Sequence, residues 1–320
     1  MRVRGAIGQK RGDWQWLKAA FGLTGWAPEG VMGRCCHRCF ANNSTLPFTD
    51  PSLNALWRNR MFTHELFMQW QLAQGGYLSP VWNIPGLRHE HFSIDLMHTG
   101  ELGILLYLYA NICFEIFCSI GGLISKPGAA LGDIMLMVKV ASKAVGQKRP
   151  PINRLTLQMF YTSGKTLKMK IKAAESRYLL PCVKYILEYF MPMETPHDQL
   201  RYHCVRTIWQ MYDLMRAPAA EFQGRVVATL ARKHLLLYAD LSKESIQSRI
   251  HQKHGRCFWK WAPKHHLFAH FEQQIATCGN PAEHWCYADE SLIGEVAKVC
   301  EGCHPNTLHR LVIQKTRIVG

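Results

Sequence analysis

The chain has 320 residues, enough for one large domain or two ordinary ones. Hydrophobic residues make up 48% and charged ones 19%, which excludes global disorder and leaves room for a sizeable core. The net charge of +15 with His neutral favours a polyanionic partner, either nucleic acid or an anionic membrane surface.

In chain order, Val3–Gly8 is short and apolar and suits a strand that ends near Gly12-Asp13, and Trp14–Leu23 reads as a helix. Met1–Lys18 is basic and carries Trp14 and Trp16 rather than the apolar run of a leader, so the 12 Cys point to metal or reduced core thiols, not to a disulfide framework. A loop rich in Gly, Pro and Cys follows, Gly25–Asn43. Asp50-Pro51-Ser52 opens a helix expected to run through Trp70. Residues 75–90 are loop-like, with Gly75-Gly76 and Pro85-Gly86.

Phe92–Met97 is a second short apolar stretch. Gly103–Ile124 has about the length of a bilayer span, but Asn111 and Glu115 sit near its middle, and a carboxylate at that depth costs several kcal/mol. A buried core helix is the better expectation. Beyond Gly128 the chain looks helical almost to Phe271, with breaks at Lys148–Pro151, Pro181, Pro192–Pro196 and Pro218. Ala282–Leu292 and Leu308–Val319 finish it, with no internal repeat.

Several constellations can carry chemistry. Cys36-x2-Cys39 can bite one Zn²⁺ through two thiolates, although alone it is half a site and two unrelated buried thiols are the plain alternative. A redox reading is weaker, since no βαβ unit surrounds it. Around residue 265, His266 and His270 share a helix face, and His265 and His270 can converge if the turn is irregular. Either pair supplies the missing half of a Cys2His2 site, more than 220 residues away in sequence; surface histidines beside Lys264 are the alternative. Asp95 and His98 can orient a phosphate or a metal-bound water, or Asp95 can simply cap the next helix. Asp13, at the end of a strand, can hold a metal or serve a turn. Glu290, before a helical run, suits capping equally well. Basic residues gather between Arg149 and Arg177 around Phe160 and Tyr161, fit either for phosphates or for a solvated face.

Taken together, Gly12-Asp13, Cys36-x2-Cys39, Ile94-Asp95-Leu96-Met97-His98, and His265 and His270 followed by Glu290 resemble, in that order, the later part of a DDE transposase. The resemblance is to the broad group that includes CACTA-like and hAT-like elements and the V(D)J recombinase. It implies an α/β fold, a partial RNase H-like fold interrupted by a large all-α insertion. The expected parts are an RNase H-like segment over 1–100, a helical insertion over 101–262 and a closing RNase H-like helix over 263–320. It also implies a structural zinc held by Cys36, Cys39, His265 and His270, with His266 as the spare neighbour. Asp13 and Glu290 would hold catalytic Mg²⁺ or Mn²⁺, and Asp95 and His98 would lie near the scissile phosphate. DNA is the implied partner, a homo-oligomer is allowed, and the implied location is nuclear or otherwise intracellular. The pattern departs at its start: only twelve residues precede Asp13 and none is acidic, so the first catalytic Asp is missing. The expectation is therefore an N-terminally truncated remnant with little cleavage of its own, or a zinc-stapled, non-catalytic DNA-binding or scaffold protein.

Overall fold

The computed structural model describes residues 14–23, 33–73, 78–119, 127–160, 166–247 and 257–287, with 291, 294, 295, 298 and 300. Its α-helices include α1 (Trp14–Phe21), α2 (His64–Ala73), α3 (Leu105–Ser119), α4 (Pro127–Ala144), α5 (Ala173–Tyr189), α6 (Pro196–Leu214), α7 (Gly224–Gln247), α8 (Pro263–Ala269) and α9 (Phe271–Cys278). Among the described residues there is no strand and no sheet; extended segments meet only in isolated bridges such as Cys39 with Met61. This overturns the expected α/β, RNase H-like fold. The first expected strand, Val3–Gly8, lies outside the described residues.

The apolar stretch at Phe92–Met97 shows why a strand-like sequence gives no sheet. It is buried, but the side-chain amide of Gln274 does the work of a neighbouring strand. Gln274 Nε2 donates to the Ile94 carbonyl at 3.1 Å and Oε1 accepts from the Ile94 N–H at 2.7 Å. Buried backbone must be paired, and here one residue of α9 pairs it. The chain then enters a π-helical stretch, Met97–Ile104. Lys264 of α8 donates to the His98 carbonyl at 2.7 Å and to that of Leu102 at 3.1 Å, serving acceptors where the widened turn changes the usual ladder. Gly103 is needed there, since a Cβ would stand 2.9 Å from the Lys264 side chain.

The polar residues that argued against a membrane span have structural work. Asn111 accepts from the Trp259 N–H at 2.7 Å and donates to the Tyr107 carbonyl at 2.7 Å. Glu115 pairs with Arg201 of α6 at 2.8 Å and accepts from the Trp259 indole at 2.6 Å. These bonds hold Trp259, a non-glycine residue at φ 47°, in the left-handed region. Among the described residues no helix is long and apolar enough to cross a membrane.

One apolar core takes residues from Cys35 to Trp57, from α3 to α7 and from Phe258 to Ile275. A smaller core joins α1 and α2 through Leu17, Phe21, Phe67, Trp82 and Phe92. The pairing of α6 with α7 is extensive, and α9 packs on α7. His234 of α7 donates from Nδ1 to the Cys204 carbonyl of α6 at 3.0 Å. Two sequence expectations change here. The helix foreseen from Ser52 to Trp70 is a short 3-10 turn, Leu56–Asn59, followed by α2, because Arg60 and Phe62 bond back to the cysteine loop. Pro181 interrupts nothing: α5 runs through it.

Candidate metal centre

The cysteine loop is pinned on both flanks. The Phe40 N–H donates to the Arg60 carbonyl at 2.9 Å, and the Phe62 N–H donates to the Arg38 carbonyl at 2.9 Å. Inside the loop, the Arg38 N–H points at Cys36 Sγ (3.2 Å) and the Ala41 N–H at Cys39 Sγ (3.4 Å). Backbone donors aimed at sulfur favour thiolate over thiol. The other half comes from the C-terminal side. Pro263 starts α8 at the position where a missing N–H costs nothing. His266 and His270 then lie one turn apart, with His270 at the junction of α8 and α9.

These halves meet. Cys36 Sγ lies 3.3 Å from His270 Nε2, Cys39 Sγ lies 3.2 Å from His266 Nε2 and 3.5 Å from His270 Nε2, and the two Nε2 atoms are 3.2 Å apart. A tetrahedral zinc with Zn–S of about 2.3 Å and Zn–N of about 2.0–2.1 Å requires edges of roughly 3.3–3.8 Å between its ligand atoms. The four residues are buried, and together they can hold a metal ion such as zinc.

The electrostatics favour one thiolate and a neutral imidazole. Burial alone would raise the Cys36 thiol, but the Cys39 hydrogen bond and the His270 and His266 imidazoles outweigh it and hold Cys36 well below the ordinary thiol range. Burial pushes Cys39 up, and the neighbouring Cys36 adds to it. Burial lowers His270, which keeps its imidazole neutral as a ligand must be. The surroundings position the ligands. Trp57 stands edge-on to both imidazoles, at 4.6 and 4.9 Å. Its own indole is fixed by the Asp50 carbonyl at 2.8 Å. His270 Nδ1 faces Gln273 Oε1 at 3.4 Å.

His265 is corrected by this geometry. It is not in the cluster; its ring packs beside Tyr238 at 4.3 Å and Trp261 at 5.1 Å, and its Nδ1 accepts from the Ala262 N–H at 3.1 Å. Adjacent helical residues point about 100° apart, so only His266 shares the face of His270.

Asp95 and His98 do come together, with Oδ2 and Nδ1 2.6 Å apart. The carboxylate also accepts from the backbone N–H groups of His98 (2.8 Å), Met97 (3.3 Å) and Cys286 (2.9 Å). It caps the π-helical stretch and ties down the segment at 286. Cys286 is the third member of this group and had no sequence signal. Asp13 and Glu290 lie outside the described residues. Gln274 and Trp57 were also missed. Gln274, four residues after His270, was open to the same helix-face argument; Trp57 carried no local pattern.

No known protein family, no curated protein and no solved structure matches this chain.

Proposed function

We propose that the chain is a zinc-stapled, helix-rich DNA-binding protein without strand cleavage of its own. The observation that carries the staple is the meeting of Cys36 and Cys39 with His266 and His270 across 227 to 234 residues of sequence. Those ligands fill a tetrahedral set with protein atoms and leave no open position, which is the pattern of a structural zinc. The +15 charge supports a polyanionic partner. The role of Asp95 supports a non-catalytic reading, because three backbone donors and an imidazole already use its oxygens. A transposase of the kind the sequence resembles needs a sheet to hold its acids, and the described residues contain none.

The test joins metal analysis to binding. The purified chain is expected to carry stoichiometric zinc and to bind duplex DNA with log K falling linearly against log salt, at a slope of about −0.9 per neutralised phosphate. Binding that ignores salt, or absence of zinc, counts against this reading. Mg²⁺- or Mn²⁺-dependent nicking by the purified chain would restore an enzymatic one.

A further inference from the structure

Away from the metal centre, the space between α5, α6 and the segment 279–285 forms an open groove. It consists of two cavities, about 660 Å³ and about 300 Å³, whose linings share Tyr178, Pro181, Trp209, Asp213 and Arg216. Either volume falls in the range that holds a small organic molecule. The walls are aromatic and cationic in alternation. The Arg177 guanidinium lies over the rings of Trp285 and Tyr287, each at 4.9 Å, and over Tyr178 at 5.1 Å. Lys184 Nζ lies over Trp209 at 5.2 Å. Tyr178 is 48% exposed and the Arg216 side chain 63%, while Trp209 and Trp285 are half-buried and line the cavity walls.

The charge balance narrows the ligand. Asp213 stands 3.9 Å from Arg216, Lys184 pairs with Glu188, and Glu283 lines the larger cavity. Arg177, in contrast, has rings around it and makes no ion pair with a carboxylate among the described residues. Recognition here rests on planar faces, with a few cations, rather than on a dense phosphate track. Stacking on rings needs bases with free faces, which a single strand offers and a duplex does not.

We infer that this groove binds single-stranded DNA by stacking bases on Trp209 and Trp285, with Arg177 beside them to meet a phosphate or a base edge. The inference rests on the DNA-binding reading and names the surface and the strandedness that it leaves open.

The test uses the full chain, a labelled oligothymidylate of about 15 nucleotides, within the span of known single-strand sites, and a labelled duplex. Fluorescence anisotropy is recorded for wild type, Trp209→Leu, Arg177→Gln and the exposed control Arg225→Gln. Trp209→Leu is expected to weaken single-strand binding by about five- to one-hundred-fold, as loss of one stacking partner does, with duplex binding and zinc content unchanged. The control is expected to change little. Because Trp209→Leu can disturb α6, the unaltered protein is also photocrosslinked to an oligonucleotide carrying 5-iododeoxyuridine. Crosslinks are expected on peptides covering 177–185, 209–216 or 280–285. If the wild type binds DNA but its crosslinks fall elsewhere, or single-strand binding survives both substitutions in folded protein, the groove is excluded and the DNA reading stands. If the wild type binds neither probe, both fall.

Discussion

His265 and His266 are neighbours in sequence and leave α8 in different directions, and this small difference decides which of them can meet a metal. His266→Asn is expected to abolish stoichiometric zinc, while His265→Asn keeps it; elemental analysis after dialysis reads both. Equal zinc loss in the two variants would contradict the geometry. Glu101 makes a second residue-scale case. It is fully buried, and burial pushes its carboxyl up to about 7 against the opposing Tyr287 hydrogen bond and Arg177 charge. An unfolded glutamate releases its proton near pH ~4.3, so as pH rises towards 7 the unfolded chain loses that proton first and the folded state loses stability. Glu101→Gln removes the titration. The variant is expected to match wild type near pH 4 and to exceed it by about 3 kcal/mol at pH 8, measured by denaturant unfolding at each pH. The ligand types were legible at this scale because C-x2-C and paired histidines carry local spacing. The identity of the fourth ligand was not, because it depends on helix phase near a junction that spacing alone leaves open.

Among the elements, α3 illustrates how polar residues within an apolar run report a core rather than a membrane. Asn111 and Glu115 each bond the segment at Trp259, and Glu115 also meets Arg201, whose side chain is 6% exposed. Without Arg201 the buried Glu115 carboxylate keeps the His197 imidazole at 3.1 Å and the Trp259 indole as partners. Arg201→Met is therefore expected to cost about 1.5–3 kcal/mol in chemical denaturation, the scale of a lost hydrogen bond to a charged group; a loss of about 3–5 kcal/mol, that of a buried charge left alone, would show that His197 does not compensate Glu115. The helices from α4 to α7 follow the breaks expected at Lys148–Pro151, Pro192–Pro196 and Pro218, since these prolines restrict the chain locally. Pro181 misleads for a related reason. Its ring removes one bond within α5, to the carbonyl of Arg177, but the packed flanks of the helix carry it through. Phe92–Met97, read only as a short apolar stretch, is buried as a strand would be, and only the arrival of Gln274 from α9 shows that a side chain satisfies its backbone.

For the whole molecule, the metal centre joins the early cysteine loop to α8 and α9. Zinc binding at such sites is worth about 10 kcal/mol or more, and binding to the folded state alone is added to stability. Chelation at neutral pH is expected to lower Tm by about 10 °C or more, reversibly on zinc addition; an unchanged Tm would mean that the four residues meet without a metal. The sequence by itself determined that the chain is basic, folds around a large apolar core and carries two half-sites of metal ligands, because charge, hydropathy and i, i+3 or i, i+4 spacing are local quantities. Only the tertiary structure decided that the described part is built from helices without a sheet, that His266 stands where His265 was expected, and that Arg177, Trp209 and Trp285 share one groove. Each of those outcomes depends on which distant segments supply the missing hydrogen bonds and ligand atoms, and no local pattern records that choice.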